Sequence, residues 1–182
     1  MDAPGDRPVT PTAEGALRME FYPWVVIAHV FFVIVSFGAH GTSAFAMFEA
    51  RRETDRSRLA AVLGLSTASL GVAGVGLIVA LLLGIVAAIM GGHFGRLWPW
   101  ASIAVVIVAF VVMTPIGANP MSELRKTLGM PVRGDKPGAP SRQPGTDAEI
   151  GAAQAKLRPE LLAALGIAAI AILVWLMEAK PF

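Results

Sequence analysis

Three histidines, His29, His40 and His93, are the side chains on which chemistry could rest in this chain. There is no cysteine, which excludes disulfides, thiolate metal sites and a cysteine nucleophile. His29 and His40 stand eleven residues apart. That is about three helical turns, so the two share a face with roughly 16 Å between them along the axis. Ser36 lies on that face between them. Each imidazole could hold a metallated macrocycle, one near each side of a membrane. Two bis-histidine haems would need two further histidines on another helix, which the chain lacks. The most it can build is one bis-histidine haem b, from His29 with His93. Ligation of a haem or a chlorophyll-type pigment by one imidazole needs only His29 or His40. The favoured reading is simpler, because a histidine in a membrane helix can hydrogen-bond a neighbouring helix with no ligand. A copper site from histidine with methionine is a further option, since thioethers suit Cu(I). Met47, Met90, Met113 and Met121 are scattered, however, and methionine in apolar helices is usually packing.

The elements that must position these histidines are four long apolar stretches: Phe21–Phe48, Leu65–Met90, Trp98–Ala118 and Leu161–Met177. A helix needs about 20 apolar residues to cross a bilayer core. Only helices and closed barrels satisfy their backbone inside lipid. The stretches show no apolar/polar alternation, so helices are expected. No Asp, Glu, Lys or Arg lies at the centre of any span. That argues against proton-coupled transport, voltage sensing and intramembrane proteolysis. It also removes the paired carboxylates of acid–base catalysis, so no catalytic residue is assigned and an enzyme is not expected.

The loop after the first span holds Arg51, Arg52, Arg56 and Arg58. The loop after the third holds Arg125, Lys126, Arg133, Lys136, Arg142, Lys156 and Arg158. Lysine and arginine accumulate on the cytoplasmic side. The expected fold is therefore all-α, a four-transmembrane-helix bundle with both termini outside and a long cytoplasmic loop between the third and fourth helices. The segments read as a flexible extracytoplasmic tail (1–20), three transmembrane helices (21–118), a cytoplasmic Pro/Gly-rich loop with short amphipathic helices (119–159), and a fourth transmembrane helix with its tail (160–182). Tyr22, Trp24, Trp98, Trp100 and Trp175 fall on the expected outer side, where amphipathic rings favour the interface. The location expected is a bacterial inner membrane. Arg51, Arg52, Arg125 and Lys126 are candidates to meet anionic lipid. Nothing in the chain suggests nucleic-acid binding.

Local signals refine this outline. Gly76, Ala80, Gly84 and Ala88 recur every four residues, one narrow row on the second helix. Such rows let membrane helices approach closely, whether the partner is internal or another chain. Gly64, Ala68, Gly71 and Gly74 add small surface lower down. Pro115 should kink or end the third helix, with a short amphipathic piece, Met121–Leu128, after it. Pro131–Gly145 reads as a flexible connection. Asp147 could cap a helix over Ala148–Leu157, and Pro159 suits the first turn of the fourth span. Gly91–Gly95 reads as a tight outer turn.

Several short motifs carry a family resemblance: His29-Val30, Arg58-Leu59-Ala60-Ala61-Val62-Leu63, Gly91-Gly92-His93-Phe94-Gly95-Arg96-Leu97-Trp98-Pro99-Trp100, and Ser122-Glu123-Leu124-Arg125-Lys126. Over His29–Lys126 the chain resembles bacterial integral membrane proteins of unknown function, distantly similar to copper-resistance-D-type membrane proteins. The resemblance implies the four-helix membrane fold and no particular chemistry. The function expected is that of a non-enzymatic accessory or structural subunit packing against other membrane chains. The alternatives are a redox or pigment protein using His29, His40 or His93, and a transporter of a small solute or metal.

Overall fold

The computed structural model describes residues 13–132, 134–136 and 142–182. These form five α-helices, with no strand among the described residues: α1 (Ala13–Arg52), α2 (Arg56–Met90), α3 (Trp98–Thr127), α4 (Asp147–Gln154) and α5 (Pro159–Ala179). The four long helices are long and apolar enough to cross a membrane, and the chain is built as a multi-pass membrane protein. α1 starts earlier than the apolar stretch: residues from Ala13, expected to belong to a flexible tail, are already helical. The first twelve residues lie outside the described part.

The short links are held by specific caps. Between α1 and α2, the Asp55 carboxylate accepts from the Arg58 amide at 2.8 Å, covering an orphan donor of the first turn, and from the Ser57 hydroxyl at 2.6 Å. Those bonds, the Ser57 hydroxyl first, hold the Asp55 carboxyl below its usual range. Between α2 and α3, Gly92 takes a left-handed φ of 64° and a 3-10 turn spans His93–Gly95. A side chain at Gly92 would be strained there.

α3 departs from expectation. It runs unbroken through Pro115 and Pro120 to Thr127, so the piece expected to be separate is its last two turns. Each proline withholds an amide from the carbonyl four residues back, here Val111 and Ile116. The Thr114 hydroxyl bonds the Phe110 carbonyl at 2.6 Å beside the first of these sites. The helix continues in contact with α5: Gly117, between the two prolines, is buried against Leu162. α4 also differs. Its N-cap is Thr146, not Asp147, and Thr146 with Glu149 forms a reciprocal capping box. The described parts of the segment expected to be flexible are pinned: Gly145 donates to the Thr127 carbonyl at 2.7 Å, and Arg142 pairs with Asp135 at 2.6 Å. The Arg142 guanidinium holds the Asp135 carboxyl far below the carboxylate range.

α1 packs along α2, and α3 along α5. The two hairpins join at the end where the arginines gather, called the basic end below. Met47 and Ala50 of α1, Leu59 and Leu63 of α2, Met121 and Leu124 of α3, and Ile150 of α4 share one buried core there. Gln154 locks it. Its single Nε2 donates to the Ala50 carbonyl at 2.7 Å and to the Glu53 carbonyl at 2.8 Å. These are carbonyls that the end of α1 leaves unpaired. Gln154→Ala should cost about 1–3 kcal/mol, two net hydrogen bonds. Gln154→Glu, which cannot donate, should fare no better in detergent unfolding.

Candidate functional site

His29, half-buried on α1, belongs to a polar seam between α1 and α2. Its Nδ1 donates to the Ala80 carbonyl at 2.7 Å. Ser36 Oγ donates to the Ala73 carbonyl at 2.5 Å, and Ser43 Oγ meets Ser66 Oγ at 2.7 Å. Each step of seven residues forward on α1 is a step of seven back on α2. The next step reaches Ala50 and Leu59, both fully buried. A strict repeat of seven is the signature of helices wound round each other in left-handed fashion, with one face kept on the partner.

The small-residue row lies in this seam. A methyl added at Gly84 would stand 2.9 Å from His29 Cε1, and one at Gly76 would stand 3.1 Å from Ser36 Oγ. Ala80 and Ala88 are buried. The row Gly76, Ala80, Gly84 and Ala88 is therefore spent inside the chain, making room for an imidazole and a hydroxyl rather than for another protein.

The Ala80 carbonyl can only accept, so Nδ1 of His29 carries a proton. In the neutral ring, Nε2 then keeps its lone pair. A backbone carbonyl behind one ring nitrogen is the support a metal-ligating histidine commonly has, so His29 could hold a ligand from Nε2. His40 lies seven residues before Met47, hence on nearly the same face of α1 as that core residue. It is half-buried, and unlike His29 and His93 it has no hydrogen-bond partner among the described residues.

His93 is elsewhere. Its Nε2 lies 3.4 Å from the Tyr22 hydroxyl, and its ring packs on Trp98 at 5.4 Å between centroids. Lys180, just past α5, sits over the other ring of that contact, 5.9 Å from the Trp98 centroid. Tyr22 precedes His29 by seven residues, roughly 10 Å along α1. Metal–imidazole bonds are about 2 Å. The structure thus does not bring His29 and His93 together, and no single haem iron could take both. Among the described residues, no three His, Asp or Glu side chains gather as a metal site.

Partial burial, then the charges of Lys180 and Arg96, push the His93 pKa below its ordinary 6.5. The folded protein accordingly prefers neutral His93. As pH falls through 6.5, the unfolded chain takes up the proton first, so stability is full above that pH and declines below it. His93→Gln should flatten this acid limb of a thermal-stability profile while leaving the plateau above neutral pH in place.

Of the four basic residues expected to meet lipid, three have partners. Arg51 pairs with Glu160 at 2.8 Å and Lys126 with Glu123 at 2.7 Å. Arg125 is half-buried and donates to the Leu63 carbonyl at 2.7 Å, while its Nε has no partner. Arg52 is exposed and forms no ion pair among the described residues. Three contributors are not among the sequence-derived candidates. Gln154 caps a helix about a hundred residues away, which no local pattern signals. Ser43 is signalled by its spacing of seven from Ser36 and His29, whereas Ser66, opposite it on α2, is followed at that spacing by Ala73 and Ala80 and has no such signal.

Comparison of the chain with protein-family models, with curated proteins and with solved structures finds no match in any of the three.

Proposed function

We propose that the chain is a non-enzymatic integral membrane subunit that packs against other membrane helices in a larger complex. The observation that carries this reading is a second small-residue face, distinct from the one the seam uses. Gly64, Ala68 and Gly71 on α2 are exposed, and a methyl at Gly64 or Gly71 would touch nothing within 4 Å. The same is true of Gly38 and Gly41 on α1. α3 adds Ile107, Val108, Phe110 and Val111, all exposed. Lipid covers such a face, but small residues favour close approach by another helix. The charge pattern supports a bacterial inner-membrane location with the basic end cytoplasmic, and the motifs of His29–Lys126 support kinship with the uncharacterised family they resemble.

The test is purification from native membrane. Partner chains should co-purify with the unaltered protein and be lost with Gly71→Leu, which adds bulk only to the open face. A stable monomer without companions would count heavily against the proposal. A second reading, a haem or pigment protein, is favoured by the unpartnered intramembrane imidazole of His40 and the available Nε2 of His29. An absorption spectrum of native material decides it: absence of a Soret or chlorin band sinks it, and a band lost in His40→Ala or His29→Ala names the ligand. A small-solute or metal transporter has less support, since α1, α2, α3 and α5 are each continuous and present no paired broken helices.

A further inference from the structure

The basic end carries its cations in two groups that the sequence does not separate. Arg51, Arg56, Lys126 and Arg142 are each neutralised by a carboxylate, Arg56 by Asp147 at 2.6 Å. Arg52, Arg58, Lys156 and Arg158 are exposed and form no ion pair among the described residues. These four stand where the spanning helices begin or end. Arg52 closes α1, Arg58 lies in the first turn of α2, and Lys156 and Arg158 immediately precede α5. The Arg51–Glu160 pair joins the end of α1 to the first turn of α5, so Arg52 and Arg158 lie on adjoining elements.

The segment before α5 is held in a definite attitude. Leu157 and Pro159 are fully buried, whereas Lys156 and Arg158, alternating with them, are exposed. The buried pair anchors the backbone and turns the two cations outward. Long basic side chains at helix ends reach the headgroup layer while their stems stay on apolar surface.

We propose that Arg52, Arg58, Lys156 and Arg158 form a binding rim for anionic phospholipid, engaging headgroup phosphates where α1, α2 and α5 leave the bilayer. Charge complementarity selects the occupant. The ion-paired cations nearby are already matched, and the carboxylates of Glu53, Asp55 and Glu149 at this end are turned onto backbone amides, which leaves the four rim cations to meet headgroup phosphates. This inference is independent of the subunit reading above.

The test is stabilisation of the full-length protein in zwitterionic micelles titrated with short-chain phosphatidylglycerol, read as Tm against lipid concentration. The unaltered protein should gain Tm with an apparent Kd that weakens as salt is raised. Replacing the four cations by glutamine should weaken that Kd by roughly fivefold per removed charge. Arg52→Lys with Arg58→Lys and Arg158→Lys should retain most of the gain, since a point charge suffices. Lys136→Gln, an exposed cation eight residues beyond Leu128, serves as control and should change nothing. The proposal is overturned if the glutamine variant keeps the full gain, or if phosphatidylcholine or inorganic phosphate alone reproduces it. Loss of the gain on Lys136→Gln to the same degree would also overturn it, showing only a response to net charge.

Discussion

Gly84→Val should destabilise the protein by about 1–3 kcal/mol, the usual cost of overfilling a packed interface. The reason is local. The first added carbon already falls within 3.0 Å of His29 Cε1 and Nδ1, so the ring must swing away and its bond to the Ala80 carbonyl breaks. His29→Ala alone should cost less, about 0.6–1.7 kcal/mol for one interhelical hydrogen bond in a membrane. In the double variant, valine occupies the space the imidazole vacates, so the two losses should not add. Gly71→Val provides the contrast: its added carbons meet open space, and stability should shift by no more than about 0.5 kcal/mol. Reversible unfolding in mixed micelles measures all four. If Gly84→Val costs as much without the imidazole as with it, the seam is not packed as described.

Leu124→Ala and Leu63→Ala should each cost about 2–5 kcal/mol, the range for deleting a buried leucine. Both are 0% exposed and belong to the core that joins the hairpins at the basic end. Their loss should separate hairpin from hairpin before it separates α1 from α2. The absence of native cysteine makes this easy to see. A Ser36→Cys, Gly76→Cys pair reports the seam, and a Gly117→Cys, Leu162→Cys pair reports α3 against α5, since those side chains adjoin. A third pair, Arg51→Cys with Glu160→Cys joined by a short bis-maleimide, reports the junction between the hairpins, where the native side chains meet at 2.8 Å. In the Leu124→Ala background, the third crosslink should fail at a lower denaturant concentration than the first. Simultaneous loss of both would mean that the hairpins are one cooperative unit.

The four spanning helices were legible because lipid imposes a length and a composition on each one separately. Helix ends were less so. Pro115 reads as a kink or an end because proline removes a local bond, whereas α3 runs on to Thr127 with Gly117 packed on Leu162, a partner separated from it by most of the third loop. The small row on α2 announced a close approach, and the structure supplies the partner, α1. What the row could not state is that the approaching groups are polar. The favoured sequence reading of His29, a hydrogen bond to a neighbouring helix, matches its contact with the Ala80 carbonyl, and its spacing of seven from Ser36 and Ser43 places it in the seam. The His29–His93 pairing failed for a geometric reason: the turn carrying His93 meets Tyr22, two helical turns from His29.

The seam has a consequence for the order in which the protein is made. Every rung joins residues that precede the 3-10 turn, so α1 and α2 contain within themselves the hydrogen-bond partners of His29, Ser36 and Ser43. That pair can close its seam while the remainder is still being synthesised, with the Ala50 and Leu63 carbonyls left to wait for Gln154 and Arg125. α3 has no such sufficiency. Its prolines and Gly117 wait for Leu162, which arrives only after the whole third loop has been made. The first half of the chain is thus a template already in place, and the second half is a late arrival that must dock on it through the basic-end core.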